Sequence, residues 1–177
     1  MKDDPLAGVF EALQFAALKH RDQRRKDLEA SPYINHPIAL ANVLWREGGV
    51  RDPAVIAAAL LHDTIEDTDT SSSELREHFG RQVAGIVLEV TDDRSLAKAD
   101  RKRLQVSHAP RLSREAKLVK LADKICNLRD MGQSPPLTWP LSRQREYFDW
   151  ALRVVDGLRG VSPALEKLFD EVYALKP

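Results

Sequence analysis

The run Ala59–Thr70, ALLHDTIEDTDT, sets His62 and Asp63 behind an apolar stretch and adds Glu66, Asp67 and Asp69 at once. Carboxylates crowded at an apolar helix end repel one another unless a cation or protons offset them. If the helix continues, Glu66 falls one turn past His62 and Asp67 one turn past Asp63, so the four line adjacent faces. A lone buried histidine is usually neutral and satisfied by one hydrogen bond. A His-Asp pair with two further acids is harder to explain that way.

Two other segments offer matching groups. His36 opens a helix in SPYINHPI, and Asp123 lies inside KLVKLADKICNL, where Leu118, Leu121, Ala122, Ile125 and Leu128 form the core stripe. Asp123 shares a different face with Lys120 and Asn127. Mid-helix aspartate is locally unfavourable, so a compensating contact is expected. Two imidazoles and two carboxylates suit a divalent ion of borderline hardness, such as Mn2+, Fe2+, Co2+ or Zn2+. The single cysteine and the lack of H-E-x-x-H argue against thiolate zinc or metalloprotease chemistry.

The elements that must position these groups all read as helices. PLAGVFEALQFAALKH places Leu6, Val9, Phe10, Leu13 and Ala17 on one stripe. HPIALANVLWREGG starts near Pro37 and stops at Gly48-Gly49, and DPAVIAAALLHD offers Asp52 as N-cap before an almost wholly apolar, buried helix. Ser71 with Glu74 resembles a capping box for SELREHFGRQVAGIVLEV. KADRKRLQVS is a shorter helix stopped by Pro110, Ser113 caps the Asp123 helix, PPLTWP breaks the chain, and Ser162-Pro163 starts the last helix. No strand alternation or repeat competes. The expectation is an all-α fold, one domain over residues 1–177.

Composition narrows the partners. A net charge of zero argues against a nucleic-acid partner, and the run Arg101–Arg103 reads as a solvated helix face. The charge is nevertheless segregated: Lys19–Lys26 and Lys98–Arg103 are basic, Glu66–Asp69 acidic. A cation site beside a polyanion site has this pattern, and so do two solvated helix ends. No apolar run reaches membrane-span length, and the N-terminus carries acids where a signal peptide is basic. Cys126 alone permits no intrachain disulfide, so a cytoplasmic, reducing setting is expected.

The order H…HD…D followed by E-D is the pattern of HD-domain metal-dependent phosphohydrolases, a helical-bundle family. HRDQRRKD…PYINHP, ALLHDTIEDTDT, FGRQVAGIVLEVTDD, RKRLQ, AKLVKLADKICNLRD and REYFDWA together resemble the hydrolase domain of RelA/SpoT homologues, from about residue 12 to about 160. The small stand-alone alarmone hydrolases of the metazoan SpoT-homologue type are the nearest likeness. The resemblance implies a 3′-pyrophosphohydrolase of guanosine tetra- and pentaphosphate (ppGpp and pppGpp). It places His36, His62, Asp63 and Asp123 at the metal positions, usually filled by Mn2+, and Glu66 and Asp67 as the catalytic pair. It also places Arg25, Lys26 and Asn127 against the nucleotide, and Lys98, Arg143 and Tyr147 against phosphates. Cys126 stands where many relatives have an aromatic residue, next to Asn127 in sequence but on the neighbouring helical face, which leaves its effect on the base pocket open.

Two further readings stay open. The same site would suit a phosphatase removing the 2′-phosphate of NADPH, or a non-catalytic, metal-dependent nucleotide sensor, although the intact Glu66-Asp67 pair counts against the last. His20, His78 and His108 read as surface or capping residues, which favours one metal over two. Trp45, Trp139 and Trp150 read as core or groove-lining residues.

Overall fold

Asp52 starts the helix on which the rest is built. Its carboxylate accepts the Ala54 amide at 2.9 Å, and Pro53 follows at the first turn, where no amide donor is needed. The computed structural model describes residues 5–27 and 29–177. In chain order its elements are α1 (Pro5–Lys19), α2 (Asn35–Asn42) running into a π-helical turn (Val43–Glu47), α3 (Pro53–Leu61) and the single turn α4 (Thr64–Asp67). There follow α5 (Ser72–Val90), α6 (Lys98–His108) with a 3-10 turn (Ala109–Arg111), α7 (Arg114–Gln133), α8 (Leu141–Asp156) and α9 (Pro163–Tyr173). Among the described residues the only β pairing is an isolated bridge between Arg24 and Pro32. The all-α expectation holds.

Two helices are central. α3 buries every side chain from Val55 to Leu61, which its unbroken apolar run requires. It is enclosed by α1, α2, α5 and α7. α7 carries the foreseen stripe, with Leu118, Leu121, Ala122, Ile125 and Leu128 at most 3% exposed, and touches α8 and α9 as well. Truncating Leu61 or Leu121 to alanine would cost about 2–5 kcal/mol at such sites. No described helix is long and apolar enough to cross a membrane.

Local signals act as expected at most boundaries. Ser71, Ser113 and Ser162 accept the amides of Glu74, Ala116 and Leu165. The Ser71 box is only half made, because the Glu74 carboxylate turns to Lys19 at 3.1 Å. The α5 segment is broken at Gly80, whose φ of 79° a side chain would resist. The stripe foreseen on α1 is rotated: Leu6 and Phe10 are 59% and 60% exposed, while Ala12 and Ala16 are fully buried. Small residues there allow α1 to approach α3 closely, and that packing outweighs the burial of larger side chains.

The break that matters for the site lies between α3 and α4. Asp63, at φ −102° and ψ 0°, leaves the helical path, so the continuous helix assumed across His62–Asp67 is two pieces. One turn's spacing survives locally, since the Asp67 amide donates to the Asp63 carbonyl at 2.8 Å.

Candidate active site

Three helices meet at one buried cluster. α2 supplies His36 from its first turn, His62 follows the end of α3, and α7 supplies Asp123. One ligand atom from each lies within 4.8 Å of the other two. His36 Nε2 is 3.2 Å and His62 Nε2 4.0 Å from Asp123 Oδ1. Asp63 stands beside His62, its Oδ2 2.8 Å from Nε2, but is not part of that compact trio. The Tyr33 hydroxyl donates to the same Asp63 oxygen.

The arrangement of these groups suits a cation. His62 Nδ1–H donates to the Ala59 carbonyl at 2.8 Å, which directs Nε2 at the carboxylates. Among the described residues, neither His62 Nε2 nor His36 Nδ1, both buried, has a partner aligned for a hydrogen bond, although Nε2 lies 2.8 Å from Asp63 Oδ2. Burial disfavours an imidazolium at His62, yet the Asp63 and Asp123 carboxylates outweigh it and push the ring's pKa up to about 9. Burial likewise opposes charge on Asp123, but Lys124 and His36 hold it well below the carboxylate range. Positive charge is therefore wanted between the carboxylates, and the donor set of two imidazoles with hard oxygens fits a divalent metal.

Asp123 is further fixed by Lys124 Nζ at 2.9 Å and Asn127 Nδ2 at 2.6 Å. Asn127, foreseen as a nucleotide contact, lines the cavity while bonded to Asp123 of the donor cluster. Lys124 was not foreseen; its position next to Asp123 in sequence was the available signal.

A cavity opens over this cluster, walled by α6, α7 and α8. Glu66 lines it, accepting the Asp92 amide at 3.3 Å, with Arg101 and Arg94 each 3.8 Å away. Burial, then the neighbouring Asp63 and Asp92, raise its pKa. Asp67 turns elsewhere: it accepts from Gln23 Nε2 at 2.8 Å and from Arg94, and it is not among the lining residues.

The opposite wall is cationic and aromatic. Lys98 and Tyr147 line it as foreseen, joined by Arg101, Lys102 and Trp150. Trp139 carries Lys98 at 5.9 Å and Arg143 at 4.1 Å, and Trp150 carries Lys102 at 4.7 Å. Burial and then the charges of Arg143, Lys26 and Arg101 lower the pKa of Lys98, so these cations share one field. Arg25 pairs with Asp130 and sits 5.7 Å from the Tyr33 ring centre. Arg25, Lys26 and Arg143 do not line the cavity itself.

One expectation is corrected. His20 is not a surface residue: it is 2% exposed, its ring centre 4.9 Å from that of Tyr33 and tilted 36° to it, with Nδ1–H donating to Gln23 Oε1 at 2.6 Å. Cys126 does not border the pocket; it is buried in the core, and burial pushes its thiol up to about 12.

A family model described as HD domain matches residues 12–147. The chain belongs to the HD domain family. Among HD-domain relatives it is 55% identical over 165 residues to the guanosine-3′,5′-bis(diphosphate) 3′-pyrophosphohydrolase MESH1 of Xenopus tropicalis, covering 93% of this chain and 92% of the relative. To the protein of that name from Homo sapiens it is 54% identical over 167 residues, covering 94% and 93%. A solved structure described as a metazoan orthologue of SpoT that hydrolyses ppGpp superposes with a TM-score of 0.92 at 49% identity, covering 95% of this chain and 94% of that one.

Proposed function

We propose that this protein is a metal-dependent guanosine-3′,5′-bis(diphosphate) 3′-pyrophosphohydrolase that converts ppGpp to GDP and pyrophosphate, and pppGpp to GTP and pyrophosphate. The observation that carries the reading is the His36–His62–Asp123 donor cluster facing a wall of lysines and arginines across one cavity. The near full-length likeness to hydrolases of that name supports the substrate. His36, His62, Asp123 and the adjoining Asp63 would hold the ion, which we take to be Mn2+. When bound, a divalent ion supplies Lewis acidity and charge neutralisation at the phosphoryl group under attack.

The chain's own groups do the rest. Water attacks the phosphorus joined to the ribose 3′-oxygen, that P–O bond breaks, and the water oxygen leaves with pyrophosphate. Glu66 takes a proton from the attacking water and passes one to the departing 3′-oxygen. Its raised pKa suits both steps, because its protonated form persists nearer neutral pH than that of an exposed glutamate. Asp67 supports it by anchoring Arg94 and Gln23. Lys98, Lys102 and Arg143 hold phosphates, Tyr147 borders them, and Arg25 and Lys26 meet the nucleotide at the mouth.

The test is direct. Purified protein with Mn2+ is incubated with guanosine tetraphosphate, guanosine pentaphosphate or NADPH, and the released phosphate is identified. Pyrophosphate from the guanosine compounds is expected. Orthophosphate alone, or release from NADPH only, overturns the reading.

A further inference from the structure

Lys120 is a buried cation that the reaction as drawn leaves idle. It lies on α7 one turn before Asp123, is 9% exposed, and lines the cavity together with His36, His62, Glu66 and Asp123. Its ammonium donates to the Val90 carbonyl at 2.9 Å, at the end of α5. Lys124, one turn along and equally enclosed, pairs with Asp123. Among the described residues Lys120 has no carboxylate within 4.0 Å. Burial and then the charge of Lys124 lower its pKa; Asp92, Asp123 and Asp63 lie farther off and oppose that only in part.

An ammonium has three N–H donors, and here the protein accepts from one. Capping a helix end does not require a buried charge, since exposed lysine does it at less desolvation cost. A cation kept without a counter-ion, inside a cavity and beside a metal-donor cluster, is placed to meet an anion that arrives with the substrate.

We propose that Lys120 is a further catalytic residue, whose ammonium hydrogen-bonds a non-bridging oxygen of the scissile 3′-diphosphate from the α7 side. The lysines over Trp139 and Trp150 approach from the other wall. The inference rests on the pyrophosphohydrolase reading for its substrate. The electrons of the breaking P–O bond leave with the ribose 3′-oxygen, while the incoming water oxygen adds charge to the pyrophosphoryl group, and the contact offsets that added charge on its non-bridging oxygens.

Lys120→Met removes the charge and keeps the stem, while Lys120→Gln also keeps a donor for the Val90 carbonyl. Both are compared with the parent for thermal midpoint, manganese content after gel filtration, kcat and KM on guanosine tetraphosphate, and affinity of the Mn2+-loaded protein for inorganic pyrophosphate. Expected are an unchanged or higher midpoint, full metal, at least about tenfold weaker pyrophosphate binding, and kcat lower by about 10²-fold or more in both variants. Near-parent kcat and pyrophosphate affinity in either variant overturns the proposal, as does metal loss in both. Should Lys120→Met fold poorly, recovery of both midpoint and activity in Lys120→Gln makes Lys120 a cap and sinks the idea. Recovery of the midpoint alone upholds it. If the parent releases no pyrophosphate, the functional reading fails by itself, and the pyrophosphate-binding comparison still decides Lys120.

Discussion

The two walls of the cavity are built on opposite electrostatic plans. On the side of the donor cluster, the carboxylates and His62 already have internal partners, Lys120 being the exception: Asp123 has Lys124 and Asn127, Asp63 has Tyr33 and His62, and His62 has the Ala59 carbonyl. Across the cavity, Lys98, Lys102 and Arg143 lean on Trp139, Tyr147 and Trp150, with no carboxylate within 4.0 Å among the described residues. A cation on a ring at an accessible site gains about 0.5–1 kcal/mol. A charge-assisted hydrogen bond to phosphate is worth roughly 1.5–3 kcal/mol. The rings therefore keep those cations in place yet release them to a polyphosphate. One wall is assembled before any ligand arrives; the other is completed by the substrate.

Breaking the pre-built wall should have the largest effect. Asp123→Ala removes the carboxylate that faces both histidines and should abolish turnover with loss of bound metal, read as metal content after gel filtration. An inactive variant with full metal would show that the wall does not depend on Asp123 as described.

Glu66→Gln keeps shape and removes the proton acceptor, so kcat should fall by roughly 10²-fold or more with metal and substrate binding retained. In the parent, ionised Glu66 is the working form, so kcat/KM should decline as pH falls through a pKa above that of an ordinary glutamate. That acid limb should vanish in Glu66→Gln. Turnover within a few-fold of the parent would reduce Glu66 to a helix-end ion pair.

Weakening the substrate-completed side should act on binding. Arg25→Ala is expected to raise KM about tenfold and change kcat little, with metal retained; a kcat-dominated loss would mean that Arg25 works through Tyr33 and Asp63. The smallest effect tests rigidity behind the metal wall. Cys126, with its thiol near 12, should resist an aromatic disulfide reagent at pH 8 in the native protein and react at once in denaturant. Fast native labelling would show that α7 opens.

The difference between the walls also explains what the sequence made legible. His36, His62 and Asp123, which meet in one cluster, stand out in sequence because donor residue types at the ends or in the middle of apolar helices call for a compensating partner. The buried α3 and the serine caps follow from patterning and spacing alone. The aromatic supports of the other wall do not, because a tryptophan over a lysine looks in sequence like any core tryptophan. Burial of His20 was hidden for a similar reason: it depends on Tyr33, which comes from a separate turn. The outward rotation of Leu6 and Phe10 reflects packing of small residues, which periodicity does not weigh. That Lys120 lines the cavity and Asp67 does not is set by tertiary approach, which sequence spacing does not carry.

The interruption at Asp63 sets a limit on length. His62 joins the donor cluster from the end of one helix, and Glu66 faces the cavity from a separate single turn. One residue inserted between Asp63 and Glu66 would rotate the glutamate by about 100° around that turn and advance it by about 1.5 Å. Its carboxylate would leave the cavity while His36, His62 and Asp123 stayed where they are. This stretch should therefore accept changes of side chain far more readily than any change in the number of residues it contains.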